Sequence, residues 1–334
     1  MVNDINLNLY QGQGVPISQR EPEEILPEYQ PLIDGDSPKN YIADTALKHA
    51  VNTAIALGQP LLITGEPGTG KTKLAFSIAF ELDLPHPLVF HTKTTSIATD
   101  LFYHYDALRR FHDSHMQIDK KLELNPENYI IYQAFGQAIL LTQKKENVEQ
   151  LLSKTLLKNC PTRSVVLVDE MDKAPRDLPN DMLNEIEKME FTVKETGKKY
   201  IAEEKYRPIL ILTSNSERNL PDAFLRRCIF YHISFPSDEQ LSEIVKKRFS
   251  NQQKFSPEFI YTAIKHLTEI RELPLKKKPA TAEFLSWIRV LNSLDLDINN
   301  LQSNQIDTFA LSFSILAKDR EDYALLQKKY MNNI

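Results

Sequence analysis

Cysteine, glycine, long apolar runs and a cationic surplus are all scarce in this chain, and each shortage closes off a class of explanation. The cysteines are Cys160 and Cys228 alone among 334 residues, too few for a disulfide framework or a four-ligand zinc site. The longest apolar stretches, such as residues 165–168 and 209–212, fall far below the roughly 18 residues of a membrane span. The chain carries 40 Lys+Arg against 45 Asp+Glu, a formal net charge of −5, which counts against a protein that coats DNA or anionic lipid. The opening Met-Val-Asn-Asp-Ile-Asn has neither the cationic start nor the apolar core of a secretory signal, so the expected compartment is the cytoplasm. At roughly 100 to 200 residues per domain, the length predicts about two domains. Glycine is the informative shortage. There are nine, and Gly58, Gly65, Gly68 and Gly70 fall within thirteen residues, so the backbone there needs unusual freedom.

Residues 1–36 are polar, contain Pro16, Pro22, Pro27 and Pro31, and show no helical or strand period. They read as an extended arm, either a disordered terminus or a segment that wraps a neighbouring subunit. From Ile42 the spacing turns helical, with Ala46, Leu47, Ala50, Ala54 and Ile55 in a stripe that stops at Gly58. Short apolar runs follow at residues 60–64, 88–90, 165–168, 209–212 and 229–234. Several are apolar on both faces, as buried parallel strands are, and helical patterns separate them. The expectation is an α/β fold with a sheet of about five parallel strands. Residues 94–160 exceed one crossover helix and read as an insertion with amphipathic patterns near 99–110 and 128–141. Residues 189–202 alternate apolar and polar around Thr196-Gly197, the pattern of a projecting hairpin. After Pro236 only helical patterns remain. The resulting division is an arm over 1–36, an α/β domain over 37–235 and a helical domain over 236–334.

Gly65, Glu66, Pro67, Gly68, Thr69, Gly70, Lys71 and Thr72 fit the phosphate-loop pattern G-x-x-x-x-G-K-[ST], directly after a strand and before a helix. Glycines let successive backbone N–H groups turn inward around a polyphosphate, and the helix N-terminus adds its positive dipole end. Lys71 is expected at the β and γ phosphates of ATP, and Thr72 at Mg²⁺. Asp169 and Glu170 end the run Val-Val-Leu-Val, where buried anions need a cation or a reaction to serve. Asp169 is then the partner of the Mg²⁺ shell and Glu170 the general base for water; the alternative is that the pair caps the next helix. Asn215 ends another buried run and is placed to hold the attacking water against Glu170. Arg226 and Arg227 close a short helical pattern, where forked, permanent charge suits a transferring phosphate. They are either groups that reach a neighbour's ATP or a solvated helix end.

These motifs, in this order, resemble those of AAA+ ATPases, and more narrowly the MoxR group, over residues 40–291. Residues 65–72 are similar to Walker A, 166–170 to Walker B, Asn215 to the first sensor and 220–228 to the arginine-finger segment. The resemblance makes Arg227 the first candidate finger and Arg226 the second. It implies a P-loop core with a helix-two insertion, a pre-sensor hairpin over 189–202 and an all-helical lid. It also implies Mg²⁺-dependent ATP hydrolysis in a ring, usually hexameric, that remodels a protein client, often beside a partner with a von Willebrand factor A domain. The arginine that the resemblance would have open a lid helix as second sensor is missing from its expected place; Lys278 and Arg289, and after them Arg271, are the candidates to replace it.

Other features carry less. His104, His112 and His115 have no cysteine or spaced carboxylate to complete a metal site. Lys276-Lys277-Lys278 reads as a solvated loop, and Phe284, Trp287 and Leu291 as one helical core face. The rival functions are a nucleic-acid motor partnering a nuclease, and an ATP-dependent assembly switch in a defence system.

Overall fold

The protein is described by a computed structural model covering residues 37–115, 125–216, 220–249, 255–294 and 305–331, with Tyr10, Gly12, Leu296, Ile298, Asn299, Leu301 and Gln302. The arm expected over 1–36 lies outside the described residues except for Tyr10 and Gly12. The chain divides into two compact units, one of Tyr41–Ser234 and one of Phe235–Ile334 with the stretch up to Asn40.

In the first unit, helix α1 (Thr45–Leu57) starts where the Asp44 carboxylate accepts the Leu47 N–H, and stops at left-handed Gly58. Strand β1 (Leu61–Gly65) leads through the glycine-rich turn into α2 (Lys71–Glu81), and β2 (Leu88–His91) follows. The next elements are β3 (Tyr103–Tyr105), α3 (Ala107–His115), β4 (Ile130–Tyr132), α4 (Ala134–Leu141) and the short α5 (Lys145–Val148) and α6 (Lys154–Leu157). Strand β5 (Val165–Asp169) precedes α7 (Leu178–Asp181), α8 (Leu183–Lys188), the hairpin of β6 (Glu190–Thr192) and β7 (Lys199–Ile201), β8 (Ile209–Ser214), α9 (Asp222–Leu225) and β9 (Ile229–Ile233).

The main sheet runs β2-β5-β8-β1-β9, and every neighbouring pair is parallel. Its three inner strands are buried along their whole length, which is why their sequences lack a polar face. Alternate residues feed two cores. Leu61, Ile63, Val165, Leu167, Ile209 and Ile211 pack with α1 and α2, while Leu62, Val166, Val168, Leu210 and Leu212 pack with α4, α7, α8 and the two small hairpins. This is the α/β core with flanking helices that the sequence predicts.

The insertion differs in detail from its periodicity. Residues 99–110 and 128–141 do not form single helices, because β3 interrupts the first and β4 the second, paired antiparallel with Tyr103 opposite Tyr132. The aromatic residues Phe102, Tyr103 and Tyr132 are buried, and large rings favour a pleated surface over a helical one. Phe102 lies 5.3 Å from Phe191, and Phe191 5.3 Å from Tyr200, so the insertion locks onto the β6–β7 hairpin. The Tyr103 hydroxyl accepts the Lys194 N–H at 3.0 Å, and Lys198 pairs with Glu127.

The second unit is helical: α10 (Asp238–Arg248), α11 (Pro257–Arg271), α12 (Thr281–Ser293), α13 (Ile306–Ser312) and α14 (Arg320–Met331). Ser237 and Gln240 form a capping box on α10, and Ser256 caps α11 with Pro257 in its first turn. Trp287 is fully buried among Phe284, Phe309 and Phe313, and its indole donates to Ser312 Oγ at 2.8 Å. Among the described residues, no helix is long and apolar enough to cross a membrane.

Gly136 on α4 lets the Phe102 backbone lie against the helix: a Cβ there would come within 2.0 Å of the Phe102 carbonyl oxygen. Gly136→Ala is expected to lower stability by about 1–3 kcal/mol through overpacking, read as a fall in thermal melting temperature.

Candidate nucleotide site

The site forms where β1, β5 and β8 end together, the edge at which α/β sheets bind ligands. Gly65 leaves β1 at φ 148°, and a Cβ would fall 2.5 Å from the Ile233 carbonyl oxygen, so the turn runs too close to β9 for any side chain. Gly68 and Gly70 also have positive φ, at 78° and 91°. The Thr69 hydroxyl closes the turn onto the Glu66 carbonyl at 2.8 Å.

Lys71 opens α2 and is buried, with Nζ donating to the carbonyls of Gly65 at 2.8 Å and Glu66 at 2.9 Å. Burial pulls its pKa below the ordinary lysine value, against the opposite pull of Asp172, Asp169, Glu170 and Glu66. A desolvated ammonium held by neutral carbonyls at a helix start suits a polyphosphate.

At the next residue of the helix, the Thr72 hydroxyl donates to both oxygens of Asp169, at 3.1 and 3.3 Å. The structure thus brings together two residues 97 positions apart that the sequence assigns to one metal ion. A hydroxyl beside a carboxylate is a hard oxygen set that fits Mg²⁺, which keeps most of its other ligands as water and substrate phosphate. Thr72 and Asp169 would hold the ion, and when bound it would neutralise charge on the phosphates.

Asp169 and Glu170 depend on a residue that sequence reasoning missed. Buried Thr213 on β8 donates its hydroxyl to Asp169 Oδ1 at 2.5 Å and accepts the Glu170 N–H at 3.0 Å. His91 of β2 lies opposite Asp169 in the sheet, Nδ1 3.7 Å from Oδ2. Glu170 has left-handed backbone, φ 61° and ψ 49°, uncommon for a residue with a side chain. The Glu170 carboxylate takes an ion pair from Lys173 at 2.6 Å. Asn215 is bound through its backbone N–H and side-chain amide to Asp172, at 2.9 and 3.4 Å, a partner that sequence reasoning did not assign to it.

Arg226 and Arg227 are exposed after α9. Arg227 Nε lies 3.5 Å from Glu187 Oε2, and its guanidinium donates to the Ala223 carbonyl at 3.1 Å; neither bond involves Lys71, Thr72 or Asp169. In the helical unit, Arg271 stacks on Phe235, 3.5 Å from the ring centre, and donates to the Pro279 carbonyl. Lys278 is exposed and Arg289 half-buried.

The model of the family "ATPase family associated with various cellular activities (AAA)" matches residues 61–237, just over half of the chain. The chain belongs to the AAA ATPase family. A search of curated proteins finds no match. Among solved structures, the crystal structure of the FIGL-1 AAA domain in complex with ADP is similar with 14% identity and a TM-score of 0.42, over 86% of this chain and 88% of that one. Membership of the family supports nucleotide binding and ATPase activity; AAA ATPases typically use Mg²⁺ and typically assemble as rings.

Thr213→Val removes a donor to a buried carboxylate and an acceptor for a buried N–H, and is expected to cost about 1–3 kcal/mol, measured by denaturant unfolding. Lys71→Ala is expected to abolish binding of a fluorescent ATP analogue while leaving the melting temperature within a few degrees.

Proposed function

We propose that the protein is a Mg²⁺-dependent ATPase of the MoxR type that assembles as a hexameric ring and remodels a protein client. The observation that carries the ATPase part is the Thr72–Asp169 contact of 3.1 Å beside the Lys71-bearing turn. In this reading residues 65–72 hold the phosphates, Thr72 and Asp169 hold Mg²⁺, Glu170 takes the proton of the attacking water and Asn215 orients it. Residues 37–235 serve as the nucleotide-binding domain, 236–334 as the lid and 1–36 as an arm. Arg227, and after it Arg226, acts on the ATP of a neighbouring subunit, which fits a guanidinium on the surface rather than beside its own phosphate turn.

Support for the MoxR assignment comes from the insertion and the β6–β7 hairpin, joined by the Phe102–Phe191 contact. Support for a protein client comes from α3, which buries no residue and leaves Leu108 82% and Phe111 64% exposed; apolar groups at such exposure suit a partner surface. The lysine run that would favour nucleic acid is partly neutralised, since Lys276 Nζ lies 2.8 Å from Glu321 and 3.7 Å from Asp319. A partner with a von Willebrand factor A domain belongs to this reading, and the cytoplasm is its compartment.

Glu170→Gln is expected to bind ATP normally and to slow turnover by about 10²-fold or more; wild-type turnover would remove Glu170 from the role of base. Mixing Arg227→Ala with Lys71→Ala subunits is expected to restore part of the hydrolysis that each lacks alone, because some interfaces then pair two intact halves. No recovery at any ratio would mean that Arg227 does not act across an interface. Affinity capture with Glu170→Gln in ATP and Mg²⁺ is expected to retain protein; nucleic acid whose removal disperses the complex would replace the remodelling role with a motor.

A further inference from the structure

Asp172 follows Glu170 by two residues in the short 3₁₀ turn Met171–Lys173, and its carboxylate reaches across to the end of β8. Oδ1 accepts the Asn215 backbone N–H at 2.9 Å and Oδ2 accepts the Asn215 side-chain amide at 3.4 Å, while the Ser214 hydroxyl, 3.4 Å from Oδ1, gives its one hydrogen to the Ser216 carbonyl at 2.5 Å. The charge of Asp172 also raises the pKa of the Lys71 ammonium, against the lowering caused by burial.

A carboxylate can only accept, whereas an amide has one accepting and one donating end. Oδ2 of Asp172 therefore admits Asn215 in one sense alone, with the NH₂ group turned towards the acid and the carbonyl Oδ1 turned away. That sense decides what Asn215 can do. The Glu170 carboxylate is also an acceptor, so a water held between it and Asn215 Oδ1 gives a hydrogen to each and keeps a lone pair for phosphorus. With the amide reversed, its NH₂ would donate to that lone pair and compete with the attack.

We propose that Asp172 is a positioning residue that fixes the sense of the Asn215 amide and through it the orientation of the attacking water. This rests on reading the site as one of ATP hydrolysis. In the step it serves, the water oxygen forms a bond to the γ-phosphorus, the bond from that phosphorus to the bridging oxygen breaks with its electron pair leaving on ADP, and the water's proton passes to Glu170.

Asp172→Asn is the informative change. It keeps an Oδ1 for the Asn215 backbone N–H, so the loop stays anchored, but it puts a donor where Oδ2 was and draws the Asn215 carbonyl inward. Turnover and binding of a fluorescent ATP analogue are measured for wild type, Asp172→Asn, Asp172→Ala, Asn215→Ala and Asp172→Ala/Asn215→Ala, with melting temperatures alongside. The expected result is that Asp172→Asn melts like wild type and binds the analogue within about twofold, yet loses about tenfold or more in kcat. Asp172→Ala should add less than about twofold to the loss caused by Asn215→Ala, because the two act as one unit. Recovery of wild-type kcat in Asp172→Asn would overturn the proposal in favour of simple loop anchoring. So would losses that multiply in the double variant, or an Asn215→Ala variant with wild-type turnover. A Glu170→Gln variant with wild-type turnover would overturn the assigned base instead, and the non-additivity of positions 172 and 215 would still be read independently.

Discussion

The hydroxyl of Thr213 holds the end of β5 in its working shape. It donates to Asp169 at 2.5 Å and accepts from the Glu170 N–H at 3.0 Å, so one buried oxygen serves two adjacent acidic residues in different ways. The bond to Asp169 leaves that carboxylate compensated while it faces Thr72. The bond from Glu170 supports a backbone in the left-handed region, a conformation that survives only where its surroundings over-determine it. Parallel pairing of β5 with β8, with Val168 opposite Leu212, sets the two strand ends level. Asp172 repeats the arrangement one step further, reaching back to Ser214 and Asn215. Two strands are thus tied end to end at the point where charge has to be handled.

On the other side of the site, the cost is one of desolvation. Lys71 is 8% exposed, and its ammonium donates to the carbonyl oxygens of Gly65 and Glu66. The charges of Asp172, Asp169, Glu170 and Glu66 favour its charged form, against the burial that lowers its pKa. Such a cation is better satisfied by a polyanion than by the folded chain alone, which is how a binding site stores affinity. Gly65 makes the geometry available by passing against the Ile233 carbonyl with no room for a Cβ.

The inserted elements and the helical unit are built by separate means. The insertion and the β6–β7 hairpin meet through rings, Phe102, Phe191, Tyr132 and Tyr200, and through the Lys198–Glu127 pair. The exposed ion pair adds little by comparison with the buried rings. The helical unit has its own core around Trp287 and the Phe309–Phe313 pair, with serine caps starting two of its helices. Each unit therefore has the hydrophobic centre that independent folding requires.

Much of the fold was legible in the sequence because its signals are local. Apolar runs at 60–64, 165–168 and 209–212 read as buried strands, and a glycine-rich turn between a strand and a helix carries its own stereochemistry. The phosphate turn, the acidic pair and the helical end of the chain followed from spacing alone. The two helical patterns that broke into β3 and β4 show the limit, since aromatic residues there were claimed by contacts with Phe191 and Tyr200, far along the chain. The same limit hid Thr213, an ordinary polar residue with no motif of its own, and the bonds that tie Asp172 to Asn215. The sequence by itself determined which elements form and which residues carry charge into the site. Tertiary structure alone decided which groups hold those charges in place, because hydrogen-bond partners on neighbouring strands are set by the register of the sheet and not by distance along the chain.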